Sequence, residues 1–241
     1  GGIPAPRLLA AAARAEQPPY AFITAVPGSS AEESWEFLSR AEQLAVARQF
    51  GAVTAAYQQL PHHRLAAVER EIGDGRASIQ FERAQRLAEI EAAPTRPEDR
   101  RPFDDLLPAQ RDELIYFVTR EAPDYFAVPL KFSHCDLSHA HFYVSNATGT
   151  WQCSGVIDWA EAMVVPPEWD HTYLWFWTFT RDQEAMKACL QAFFADTRPP
   201  ERFARRCFAA ILQPMRGSRS GPRCVTNSPN RNPNPARSCA R

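Results

Sequence analysis

The stretch FSHCDLSHAHFYVSNATGTWQCSGVIDW, Phe132–Trp159, decides how this chain is read. Phe142–Ser145 and Ser154–Ile157 are short apolar runs of strand type, and Asn146–Gly149 between them has the composition of a turn. The segment therefore reads as a β-hairpin. With His141 opposite Asp158, the pairing centre falls between Gly149 and Thr150, inside that turn. The open end of the hairpin then sets His141 beside Asp158, with Asp136 close by on the preceding loop. Two carboxylates and an imidazole meeting on a loop can bind a metal ion or move protons.

Taken singly, these residues have plainer roles. Aspartate commonly closes turns, so Asp136 can cap a loop and Asp158 a strand end. His134 reads as a structural residue that holds the loop by hydrogen bonds, and His139 as an exposed loop histidine. It is the ordered set, with its spacing, that favours chemistry.

HCDLSHAH (134–141), followed by GVIDWAEA (155–162) and PPEWD (166–170), resembles the catalytic segment of aminoglycoside and macrolide phosphotransferases. That family shares the protein-kinase-like fold. The resemblance implies a mixed α/β (α+β) architecture: a mainly helical large lobe carrying a catalytic β-hairpin. It also implies transfer of the ATP γ-phosphate, with Mg2+, to a hydroxyl of a small molecule. In that correspondence Asp136 is the catalytic base and Asp158 the magnesium ligand. His141 stands where most members have an asparagine for the second magnesium, and a histidine also occurs there in some branches. Asp170 matches an aspartate that braces the loop, and Cys135 replaces a usual small residue. Tyr20–Val26, ending in Pro27-Gly28, reads as a strand and a turn. The resemblance makes it the inter-lobe linker, with Thr24 to Val26 meeting the adenine; a plain edge strand is the other reading.

The chemistry suits these residue types. Phosphoryl transfer needs charge neutralisation and in-line placement of a hydroxyl more than covalent help. Hard magnesium prefers carboxylate oxygen and water, which fits Asp158 better than His141.

Composition fits a soluble globular protein of 241 residues, 45% hydrophobic and 23% charged. The formal net charge of -1 argues against nonspecific nucleic-acid binding, but it hides an asymmetry. Residues 214–241 hold six arginines, five prolines and no acidic residue, which leaves -7 on the preceding 213. An acidic body suits cationic acceptors such as aminoglycosides. No run approaches the ~20 apolar residues of a membrane span, and no secretory signal opens the chain. The six cysteines lack CxxC spacing and read as reduced thiols of a cytoplasmic protein. Cys135 is the one to watch, because it adjoins the candidate base.

Helices dominate the remainder. Ser30/Glu33 and Ser39/Glu42 have capping-box spacing, and the second pair opens a stripe of Val46, Phe50, Val53, Tyr57 and Leu60 that reads as core packing. Further helices are predicted around Ile79–Ala92, Leu107–Arg120 and the aromatic Trp169–Phe179. Two more apolar stripes run through Ala185–Phe194 and Phe203–Leu212. Pro214–Arg241 has no periodicity and reads as a disordered basic tail.

Residues 1–28 thus read as a remnant of the small lobe and linker, and 29–213 as the large lobe, with catalytic loop 134–141 and metal motif 155–159. A complete nucleotide lobe carries a glycine-rich loop and a phosphate-binding lysine. Neither has a candidate before the linker, since Lys131 and Lys187 are the chain's lysines. The chain therefore reads as truncated, with activity in doubt. A noncatalytic pseudokinase-like binding module is the alternative. An iron site of His134, Asp136 and His139 or His141 is a third reading, but it leaves GVIDW and PPEWD unexplained and needs a strand-rich barrel.

Overall fold

A computed structural model describes residues 3–14, 17–61, 84, 87, 88, 90, 91, 106–121 and 128–212. Strand β1 (Leu8–Arg14) pairs antiparallel with β2 (Gln17–Ile23). The chain leaves β2 before Thr24, so the predicted strand ends three residues early. The two-residue β3 (Ser29–Ser30) then joins the edge of a three-stranded sheet in the order β3-β5-β6, where β5 is Phe142–Ser145 and β6 is Gln152–Val156. A separate antiparallel pair is formed by β4 (Lys131–Ser133) and β7 (Met163–Val165).

Both predicted capping boxes are present. Ser30 and Glu33 cap the single turn α1 (Ala31–Ser34), and Ser39 and Glu42 cap the long helix α2 (Arg40–Gln58). In each, the serine hydroxyl accepts from the N3 amide and the glutamate accepts from the cap amide, which satisfies donors a helix start leaves open. Helix α3 (Pro108–Tyr116) runs on into a π-turn at Phe117–Glu121. Helix α4 (Glu168–Tyr173) likewise continues as a π-turn at Leu174–Thr178. Helices α5 (Gln183–Phe193) and α6 (Phe203–Ile211) complete the described part. The helix expected at 79–92 lies mostly outside the described residues, although 84, 87, 88, 90 and 91 are helical. The tail 214–241 lies wholly outside them.

The core forms where α2 crosses the hairpin and α5. Phe50 stacks on Phe142 with ring centroids 3.9 Å apart, and Phe179 closes the cluster. Gly51 lets α2 press against α5, because a Cβ there would sit 2.0 Å from the Cys189 carbonyl oxygen. At its start α2 is tied to α5 by Arg40, which pairs with Asp182 and Glu184. Asp182 is itself the N-cap of α5, accepting from the Glu184 and Ala185 amides, and the Arg40 bond holds its carboxyl down at about 2. No described helix is long and apolar enough to cross a membrane.

Candidate active site

The hairpin register differs by one step from the sequence expectation. Phe142 pairs with Val156, Tyr143 with Gly155, and the Ile157 amide donates to the His141 carbonyl at 3.0 Å. His141 therefore lies opposite Ile157 rather than Asp158. An irregularity between Tyr143 and Val144 shifts the ladder, and the turn closes through the Gly149 amide on the Asn146 carbonyl, with Gly149 at φ +81°. Asp158 still reaches His141, because its own backbone is left-handed (φ +60°) and turns the chain back over the hairpin end.

The loop between β4 and β5 is held from two sides. His134 is buried; its Nε2–H donates to the Ile157 carbonyl at 2.8 Å, which leaves Nδ1 to accept the Asp136 amide at 3.3 Å. That arrangement sets the tautomer, and burial pushes the ring's pKa down, so His134 acts as a neutral spacer between the loop and the strand before Asp158. From below, the fully buried Asp170 carboxylate on α4 accepts four bonds. Oδ1 takes the Cys135 amide at 2.8 Å. Oδ2 takes the His134 amide, the Tyr57 hydroxyl and the Gln58 side-chain amide, at 3.1, 2.6 and 3.2 Å. Cys135 sits at φ +68°, a conformation that costs a non-glycine residue ~1–3 kcal/mol, and the Asp170 bond holds it there. The loop's middle is pinned by the Thr178 hydroxyl, which donates to the Leu137 carbonyl.

Asp136, His141 and Asp158 come together at the open end of the hairpin, each offering an oxygen or nitrogen within 4.8 Å of the others. His141 Nδ1–H donates to the Asp136 backbone carbonyl. Its other nitrogen, Nε2, faces Asp158 Oδ2 at 3.6 Å, and Asp136 Oδ2 lies 3.7 Å from Nδ1. In the neutral ring Nε2 is a lone pair, so two electron-pair donors face each other across a gap that a cation or a proton must fill. Burial first, and the nearby Asp158 charge after it, push the Asp136 carboxyl above the ordinary aspartate range, while both histidines pull against that rise.

Other sequence expectations fare differently. Thr24 turns inward to the β1–β2 ladder: its amide donates to the Arg7 carbonyl and its hydroxyl accepts the Arg7 amide. Val26 packs directly on Gly155, the strand residue three before Asp158, where a Cβ would meet its methyl at 2.4 Å. His139 is not exposed. It packs at a tilt against Trp35 with centroids 5.5 Å apart, its Nε2 is buried without a hydrogen-bond partner, and burial depresses its pKa to about 4. Cys135 is fully buried and its thiol is pushed far above the usual range, so it carries no reactive thiolate. Tyr57 and Gln58 were missed as loop supports. Tyr57 belongs to the apolar stripe of α2, and nothing in that periodicity signals that its hydroxyl reaches Asp170.

The sequence matches the phosphotransferase enzyme family (APH) over residues 1–205, and the chain belongs to that family. No curated protein matches it in a sequence search. Among solved structures, it is similar to APH(2")-IIia, solved as a GDP and kanamycin complex: TM-score 0.63 at 17% identity, covering 86% of this chain and 65% of that one. It is also similar to macrolide 2'-phosphotransferase MphH from Brachybacterium faecium, with TM-score 0.50, 20% identity and 80% and 61% coverage. An ethanolamine kinase of Plasmodium vivax gives TM-score 0.50 at 12% identity, with 87% and 60% coverage. At these identities the likeness defines the fold, which is protein-kinase-like. The chain spans less than two thirds of the length of each of these structures.

Proposed function

We propose that this protein transfers the γ-phosphate of ATP to a hydroxyl of a small molecule, an aminoglycoside or macrolide-like compound, and that Asp136, His141 and Asp158 form the reacting centre. The observation that carries the reading is the meeting of those three side chains on the hairpin end, within a chain of the phosphotransferase family. Solved relatives hold GDP or ADP, and one holds kanamycin, which supports a nucleotide and a cationic acceptor. Residues 1–28 contribute small-lobe and linker residues in this reading, and 29–213 the large lobe.

Asp136 orients the acceptor hydroxyl and takes its proton as the oxygen attacks in line; its raised pKa makes it a better base than an ordinary aspartate. Asp158 and the His141 Nε2 lone pair would hold Mg2+, the carboxylate as the hard ligand and the imidazole as a second donor. An ion held there would supply charge neutralisation for the phosphates. Val26, packed on the strand that leads to Asp158, puts the 24–26 segment next to that centre. Because the Thr24 amide and hydroxyl are engaged by Arg7, adenine contacts from this segment fall to the Thr24 carbonyl and to Val26.

A binding module without turnover is the second reading. It is favoured by the placing of the chain's two lysines on β4 and α5, outside the 24–26 segment. Titration calorimetry with ATP, with and without magnesium, tests the assignment. Asp158→Asn should abolish the magnesium-dependent component and leave the circular dichroism spectrum unchanged. Equal Mg-ATP affinity in the variant would remove Asp158 from the metal site. Binding without phosphorylation of any acceptor would select the second reading.

A further inference from the structure

Two tyrosines approach the loop between β4 and β5, and only one of them is spent there. Tyr57 gives its hydroxyl to the Asp170 carboxylate at 2.6 Å. Tyr173, the last residue of α4, uses its hydroxyl in no hydrogen bond among the described residues. Gln58 Oε1, His139 Nε2, Glu168 Oε2 and His171 Nε2 are the described side-chain atoms that are buried without a partner. The Tyr173 oxygen is not one of them: the residue is half-buried, and its hydroxyl keeps contact with solvent.

The helix fixes where that oxygen lies. α4 and its π-turn run beneath the loop and hold it at two points. Asp170 takes the His134 and Cys135 amides, and the Thr178 hydroxyl donates to the Leu137 carbonyl. Tyr173 stands between these anchors. Three residues on from Asp170, it lies on the same helix face. The π-turn at Leu174–Thr178 bonds from i to i+5, so the same face continues to Thr178. The loop residue between the two anchored stretches is Asp136. The packing agrees, since the Tyr173 ring sits against the cluster of Cys135, Val165 and Trp169. Burial first, then the Asp136 charge, with Cys135, Asp170 and Glu161 adding to it, push the phenol far above its usual range.

Glu161 closes the short turn that follows Asp158 and is exposed. The Tyr173 oxygen thus opens to solvent within reach of two carboxylates, Asp136 and Glu161. Carboxylates accept only, and the phenol oxygen can accept as well, so a group that meets them together must donate. An ammonium does so, with charge-assisted bonds. On the phosphotransfer reading above, we infer that Tyr173, with Glu161, holds an ammonium group of the acceptor beside the hydroxyl that Asp136 addresses. Tyr173 is then a specificity residue. Its contact is to a part of the acceptor that does not react, so it acts on binding rather than on turnover.

Calorimetric titration of the full chain with kanamycin, and separately with Mg-ATP, tests the assignment. Tyr173→Phe keeps the ring and should weaken kanamycin about tenfold, with the Mg-ATP affinity and the urea unfolding midpoint as in wild type. Glu161→Gln should weaken kanamycin several-fold. Equal kanamycin affinity in Tyr173→Phe would overturn the inference and leave phosphotransfer standing. A matching loss of Mg-ATP affinity, or a lowered midpoint, would make Tyr173 a packing residue and overturn it as well. Tighter kanamycin binding in Glu161→Gln, or a wild type that binds Mg-ATP but not kanamycin, would overturn the ammonium contact alone. A wild type that binds neither would overturn the phosphotransfer reading itself, and the role of Tyr173 with it.

Discussion

Replacing Asp170 with asparagine should destabilise the protein more than any single change in the Asp136, His141 and Asp158 cluster. The carboxylate is fully buried and accepts from the His134 and Cys135 amides, the Tyr57 hydroxyl and the Gln58 amide. An asparagine keeps one oxygen. Turned toward the three donors on the Oδ2 side, it presents NH2 to the Cys135 amide, which leaves a buried donor facing a donor at a cost of ~1–3 kcal/mol. The three remaining bonds change from charged to neutral acceptors and each weakens, by roughly 0.5–1 kcal/mol. The sum is about 2.5–6 kcal/mol, a large share of the ~5–15 kcal/mol that holds a typical domain folded. Part of the loss falls on the loop, since Cys135 keeps its left-handed backbone through that bond. Equilibrium urea unfolding followed by tryptophan fluorescence measures it, with Tyr57→Phe as the partial perturbation at ~1.5–3 kcal/mol. If Asp170→Asn stays within about 1 kcal/mol of wild type, the four-bond support is not what holds the loop.

Where phosphotransfer is measurable, Asp136→Ala should lower kcat by ~10²–10⁴-fold with little change in acceptor KM; equal turnover would make Asp136 a loop cap. Gly51→Ala should cost ~1–3 kcal/mol in the same unfolding assay, because the new methyl meets the Cys189 backbone and the two helices must part; an unchanged midpoint would refute the close contact. Stability should also fall with acid. His139 is held neutral down to about 4 in the fold, whereas an unfolded histidine takes its proton near 6.5, so between those values the unfolded chain binds more protons. The contribution is fully present above about 6.5 and is lost as pH falls toward 4. His139→Phe should flatten the unfolding midpoint over that window, and a slope identical to wild type would contradict the burial of this ring.

Local signals in the sequence carried most of the elements. The Ser30/Glu33 and Ser39/Glu42 pairs marked helix starts because a capping box is complete within four residues. The hairpin was legible because Asn146–Gly149 closes it locally, and the α2 stripe because one helix face must be apolar to be buried. Strand β1 was not legible. LLAAAAR has helical propensity, and only pairing with β2 makes it a strand, since propensity is a weak prior that tertiary contacts override.

At the site, sequence alone brought Asp136, His141 and Asp158 to one end of the hairpin, because that follows from strand alternation and a short turn. Tertiary structure decided the rest. The one-step difference in register is set by how the turn and the irregularity between Tyr143 and Val144 together align the two strands, which no residue pattern announces, and Asp158, with its left-handed backbone, still lies within 3.6 Å of His141. The burial of His139 depends on Trp35, far away in sequence. The reach of Tyr57 to Asp170 spans 113 residues and runs from a side chain whose periodicity says only that it is inside. Periodicity reports which face is buried; what a buried polar atom meets there is set by the partner element, and that is known only once the chain has folded.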